Sequence, residues 1–168
     1  MALHFKKIFV QFTICLLLAS CTGTKHLPQG EKLYTGAGIK LESSDHIGHH
    51  KKKVIKTTAE NAVRPKPNKK IVGLRPKLWL YMIAGENPRG KLKKWLKKIG
   101  EAPVLISSVK PTVTAAIIDA RFFNIGIFNS YTQFKIIEKK HTSNIIYTSH
   151  IHVPYTLKEI YMQFLTQA

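Results

Sequence analysis

The chain has 168 residues, and its 27 lysines and arginines against 9 aspartates and glutamates give a formal charge of +18. That length holds one compact domain and little beyond it. So positive a field favours polyanionic partners, and two cysteines, Cys15 and Cys21, are too few for a disulfide framework.

His4, Lys6 and Lys7 form a basic head, followed by an apolar run from Ile8 to Leu18 that only Gln11 and Thr13 interrupt. About a dozen residues cannot span a bilayer core that needs roughly 20. Leu18, Ala19 and Ser20 then lead into Cys21. Small side chains let an extended backbone enter a signal peptidase, and a cysteine thiol at that point is the acceptor for diacylglycerol. Residues 1–20 therefore read as a lipoprotein signal peptide with its lipobox, and Cys21 as the acylated (palmitate-type) first residue of the mature chain. Each methylene buried in lipid contributes about 0.8 kcal/mol, so several acyl chains make a firm anchor. Thr22 rather than an acidic residue follows the cysteine, which favours the outer membrane, with the protein facing the periplasm. Secretion turns the charge argument from nucleic acid toward anionic lipid or an acidic partner.

Residues 21–32 are polar, contain Pro28 and Gly30, and read as a lipidated tether. Leu33 to Glu42 has strand character, loosened by Gly36 and Gly38. Ser43, Ser44 and Asp45 offer N-caps for a polar helix from about Ile47 to Ala62, which Pro65 and Pro67 end.

Residues 64–103 read as a basic insertion. Pro76 precedes the apolar run Leu78-Trp79-Leu80-Tyr81-Met82-Ile83-Ala84, with Gly85 as its stop. In the next segment Leu92, Trp95, Leu96 and Ile99 fall at i, i+3, i+4 and i+7, one helical stripe set among Lys91, Lys93, Lys94, Lys97 and Lys98. Two outcomes stand open. The stripe can pack on its own domain with the lysines solvated, or it can lie on a membrane, with Lys91, Lys93, Lys94, Trp95, Lys97 and Lys98 contacting anionic lipid.

Pro111 suits a helix first turn, and Val113, Ala116, Ile117, Ala120 and Phe123 give a stripe expected to face the core through about Asn124. Gly126 stands where a C-terminal cap belongs. Phe128 to Glu138 alternates as a strand with Phe128, Thr132, Phe134 and Ile136 on one face, and Asn144 to Ile151 is a second strand after a turn at 139–143. The order strand, helix, inserted helices, helix, strand, strand predicts an α+β domain with helices on one face of a small mixed sheet.

The β-α-α-β-β order, with a helix ending in Phe123-Asn124-Ile125-Gly126-Ile127-Phe128, resembles a polypeptide-transport-associated (POTRA) domain. Arg64-Pro65-Lys66-Pro67-Asn68-Lys69-Lys70, Leu74-Arg75-Pro76 and Leu78-Trp79-Leu80-Tyr81 are similar to the amino-terminal region of Bacteroidetes lipoproteins of the BamA/TamA outer-membrane assembly family. Thr24-Lys25-His26-Leu27-Pro28 after the lipobox fits the same group. Pro154-Tyr155-Thr156-Leu157-Lys158-Glu159-Ile160 is similar to the opening of a further POTRA repeat. The resemblance implies a POTRA-like domain over 33–153 and the start of a second repeat over 154–168. It also implies extended outer-membrane client proteins, or another assembly-complex subunit, as partners. Such family members end in a β-barrel, for which nothing here supplies the strands, so the chain reads as a truncated member. A stand-alone cationic lipoprotein that binds anionic headgroups is the alternative. In family members a free sheet edge takes up an extended strand, and residues 33–42 and 128–138 are the candidate edges here.

No catalytic set is read. There is no Gly-x-Ser-x-Gly elbow, and Gly36-Ala37-Gly38 is an isolated fragment of a phosphate loop. His46, His49 and His50 lie among lysines, and His150 and His152 share a strand face. Neither set has the further ligands that a metal needs, so no metal and no cofactor are expected.

Overall fold

The computed structural model describes residues 27–152, so Leu18, Ala19, Ser20, Cys21 and the 154–168 repeat lie outside the described residues. The order is β1 (Leu33–Ser43), α1 (His49–Ala62), α2 (Pro76–Ala84), α3 (Lys91–Ile99), a 3-10 turn (Ile106–Ser108), α4 (Pro111–Asn124), β2 (Tyr131–Glu138) and β3 (Thr142–Ile151). The fold is α+β, with α2 and α3 inserted between the two main helices α1 and α4.

The sheet order is β1-β3-β2. The Leu33 N–H donates to the His141 carbonyl (3.1 Å) and the Thr35 hydroxyl to the Ser143 carbonyl (3.0 Å). The Glu42 carboxylate meets His150 Nδ1 at 3.5 Å. Each pair is offset by 108 residues, and a constant offset means that β1 and β3 run parallel. β2 and β3 form an antiparallel hairpin closed by the Lys139 N–H on the Thr142 carbonyl (2.8 Å). Along β3 every second residue, Ser143, Ile145, Tyr147, Ser149 and Ile151, is buried, the period-2 pattern of a sheet with one covered face.

Contacts divide the described residues into two units, and each of the three strands contributes to both. The first holds residues 27–36, 65–109 and 136–144. Its core is built on Leu33, Tyr34, Leu78 and Ala84. Buried Asn68 has both ends of its amide satisfied: Nδ2 donates to the Ala102 carbonyl (2.7 Å) and Oδ1 accepts the Val104 N–H (3.0 Å). That fixes 102–104 beside β1, where the Val104 carbonyl accepts the Tyr34 N–H (2.8 Å). Helices α2 and α3 pack together, and a Cβ on Gly100 would stand 2.7 Å from the Tyr81 backbone nitrogen. Only glycine allows that approach.

The second unit holds residues 37–64, 110–135 and 145–152, with α1 packed on α4. Ile55, Ala59 and Ala62 of α1 are buried, as are Thr114, Ala115, Ile118 and Phe122 of α4. The α4 stripe expected in the core, Val113, Ala116, Ile117, Ala120 and Phe123, is instead exposed. The helix is apolar on both sides, and its rotation is set by polar ties. Arg121 reaches the Thr58 carbonyl of α1 (3.5 Å), while Asp119 reaches Thr132 of β2. Pro111 occupies the first turn, as the sequence indicates. At the other end Gly126 sits at φ +85, its N–H on the Phe123 carbonyl and that of Ile127 on the Phe122 carbonyl, a Schellman closure. Several boundaries differ from expectation. Strand β3 begins at Thr142 rather than Asn144. Helix α1 begins after Gly48 with no side-chain cap, and β2 begins at Tyr131 rather than Phe128.

Candidate functional site

With β3 central, the sheet has two edges, and they differ. The first residues of β1 are closed off within the first unit: Leu33 bridges Leu105, and the Ile106 N–H donates to the Lys32 carbonyl (2.9 Å). Farther along β1, Lys40 and Glu42 form an exposed ion pair (2.6 Å), a charged edge that discourages pairing with another chain.

Among the described residues, strand β2 is the open edge. Its register on β3 is fixed by three contacts in the second unit. Tyr131 stacks on His150 (centroids 4.5 Å apart, 15° between planes), the Thr132 hydroxyl bonds the Ser149 hydroxyl (2.8 Å), and Phe134 lies against Tyr147 (6.4 Å). Counting back from the hydrogen-bonded pair Lys139–Thr142, antiparallel alternation turns the N–H and C=O groups of Thr132, Phe134 and Ile136 away from β3. Asp119 takes the first of these outward donors. Its carboxylate accepts the Thr132 N–H (3.0 Å) and hydroxyl (2.6 Å). The next outward pair, at Phe134, faces the free side.

Apolar side chains flank that edge. Tyr131 and Phe134 are exposed. On α4, Ala116 and Phe123 stand three residues before and four after Asp119, so they share the side of the helix that reaches β2. Both are exposed, Phe123 at 58%, and Phe123 meets exposed Phe128 edge to face with centroids 4.9 Å apart. Among the described residues, the second unit thus presents an outward, unpaired backbone donor and acceptor at Phe134, together with an exposed strip of small and aromatic side chains. An extended peptide can add to the edge by backbone bonds and lay alternate side chains on the strip. Burial raises the pKa of the Tyr147 phenol behind this edge, the Thr114 hydroxyl pulling the other way, so it stays neutral in ordinary buffers.

Of the two candidate edges, 128–138 is open from Phe134 onward among the described residues, and 33–42 is closed over its first residues. Sequence reasoning placed Thr132 on a strand face but missed Asp119 and the pairing of the two, which positions the open edge. A lone aspartate on an apolar helix, thirteen residues ahead of a strand threonine, was the signal available. The lysine set lies apart, on α3. Lys91, Lys93, Lys94 and Lys98 are exposed, as is Trp95. Lys97 is half-buried, its ammonium donating to the Glu86 carbonyl and lying 5.4 Å from the centre of the Tyr81 ring. It ties α3 to α2.

His150 pairs with Glu42 and His152 with Asp45 (3.4 Å). Among the described residues no group of three or more His, Cys, Asp or Glu side chains is placed to hold a metal ion. No described helix is long and apolar enough to cross a membrane. No protein-family model, curated protein or solved structure matches this chain.

Proposed function

We propose that this protein is a periplasm-facing, lipid-anchored module of an outer-membrane protein assembly or translocation system, in which a POTRA-like domain binds an extended client or partner strand along β2. The observation that carries this reading is the open β2 edge, with the Phe134 backbone turned outward and with Phe134, Phe123 and Phe128 exposed in the same unit. Backbone pairing gives affinity without demanding one client sequence, which suits a factor that serves many clients. The β-α-α-β-β order with β1 parallel to β3 supports the POTRA likeness. The amino-terminal lipobox supports the anchor at Cys21 and the outer-membrane address.

The experiment is a fluorescence-anisotropy titration of a labelled extended peptide, copied from a membrane strand of an outer-membrane barrel, against the protein and Phe134→Pro. On the backbone, proline removes only the outward N–H, since the Phe134 amide is not a ladder donor, and an edge strand tolerates it there. Binding should fall at least about tenfold, because one backbone bond and a stacking side chain are lost together. Raised salt should leave the wild-type affinity nearly unchanged. Equal affinity for the two proteins would remove β2 as the docking strand.

A further inference from the structure

Helix α3 is an amphipathic element whose apolar stripe, half-buried Leu96 apart, is left uncovered by the described residues. None of its nine residues is buried, and Leu92 and Trp95 are 70% and 55% exposed, with Ile99 exposed beside them. Its packing on α2 uses a different side of the helix. Lys97, over the Tyr81 ring, and Gly100, against the Tyr81 backbone, face α2. At 100° per residue, Leu92, Trp95 and Ile99 fall within about 60° of one another and more than about 80° from Gly100. Lys91, Lys94 and Lys98 flank the stripe, each turned about 40–100° from Trp95. Among the described residues no acidic side chain pairs with any of the three.

We propose that α3 docks flat on an anionic lipid bilayer. Leu92, Trp95 and Ile99 enter the acyl boundary, while Lys91, Lys94 and Lys98 reach lipid phosphates. Charge complementarity selects this occupant. A stripe of this width suits any apolar partner, but a row of unpaired lysines along it suits a surface that carries many phosphates. Trp95 adds the side chain that best occupies the headgroup level, an apolar body with one polar N–H. Nine residues span only about 14 Å, enough to lie in the interface and too little to cross it.

A second feature of the same unit points the same way. Ile71 and Leu74 exchange two backbone bonds (2.8 and 3.0 Å) around a two-residue turn, Val72-Gly73, with both φ angles positive (49° and 79°). That backbone belongs to asparagine and glycine, and a β-branched residue is strained in it. Val72 is nonetheless held there 96% exposed, between exposed Ile71 and Leu74 and after Lys69 and Lys70. An apolar tip raised into solvent at the cost of strain gains its return only when something apolar receives it.

The test uses the full chain carrying Trp79→Phe, so that Trp95, the other of its two tryptophans, is the sole reporter. The vesicles are phosphatidylglycerol–phosphatidylethanolamine with brominated acyl chains. Trp95 emission should shift blue and be quenched, whatever else of the chain binds the vesicle. Lys91→Glu, Lys94→Glu and Lys98→Glu together should weaken the quenching titration about a hundredfold, each lysine contributing roughly fivefold or more near a charged surface. Circular dichroism should stay unchanged, since the three side chains are solvated. Phosphatidylcholine vesicles and raised salt should both weaken the quenching. Vesicles that bind the chain while Trp95 stays unquenched would overturn the proposal. So would quenching that ignores charge reversal in a folded variant, and either result would return this face to a protein partner.

Discussion

Asp119 of α4 and Thr132 of β2 are joined twice, the carboxylate accepting the threonine N–H at 3.0 Å and its hydroxyl at 2.6 Å. The pair caps the first outward donor of the edge strand and sets the rotation of α4, so the open edge begins at Phe134. Replacing Asp119 with alanine removes a half-buried charged acceptor from two donors and should cost about 2 kcal/mol. Urea unfolding measures this. Thr132→Val should cost less, and the double variant should fall short of the sum because the two changes remove one interaction.

The rotation of α4 has its own check. Phe122 is fully buried and Phe123 is its exposed neighbour. Phe122→Ala should cost about 3–5 kcal/mol through loss of burial and a cavity. Phe123→Ala should stay within about 1 kcal/mol, while weakening peptide capture at the edge. Equal costs in denaturant would mean that the helix is turned the other way.

Gly100 is ordinary in φ (−70°), so its role is space rather than conformation. Gly100→Ala places a Cβ 2.7 Å from the Tyr81 nitrogen and must push α2 from α3. Overpacking of this kind costs about 1–3 kcal/mol. The loss should show in thermal unfolding followed by tryptophan emission, since Trp79 and Trp95 sit on these two helices.

Glu42 gives a pH dependence of definite sign. The Lys40 ammonium hydrogen-bonded to its carboxylate holds the pKa below the ordinary 4.5, with the charge of Lys40 and of His150 adding to the pull and burial opposing it. A lowered folded pKa means that the unfolded chain takes up the proton first. The contribution is therefore complete above the unfolded value near 4.5 and is lost as pH falls through the folded value. Glu42→Gln should lower the urea midpoint slightly at neutral pH, and the difference should shrink in acid. A gap that widens on acidification would contradict the pairing.

Much of this arrangement is legible in the residues. Ile145 and Tyr147 alternate as β3 requires, Gly126 marks the end of α4, and the i, i+3, i+4, i+7 spacing places α3 at Lys91–Ile99. The orientation of α4 is not legible, because Val113, Ile117 and Phe123 make as good a stripe as Ala115, Ile118 and Phe122. Periodicity cannot choose between two apolar faces when the choice lies with Asp119 and Arg121, whose partners are distant in sequence. The Val72-Gly73 turn escapes for a different reason, since valine contradicts the turn chemistry it adopts. Periodicity likewise says that α3 has an apolar stripe, but whether a neighbour covers it depends on tertiary placement.

The most direct test of the central claim is amide hydrogen exchange read residue by residue, with and without the extended peptide. The Phe134 amide points to the open edge, while the neighbouring Gln133 and Lys135 amides are bonded to β3. Strand addition predicts that Phe134, fast in the free protein, slows at least about tenfold in the complex while its neighbours change little. Saturating peptide that leaves the Phe134 amide as fast as before would contradict docking by strand addition at β2.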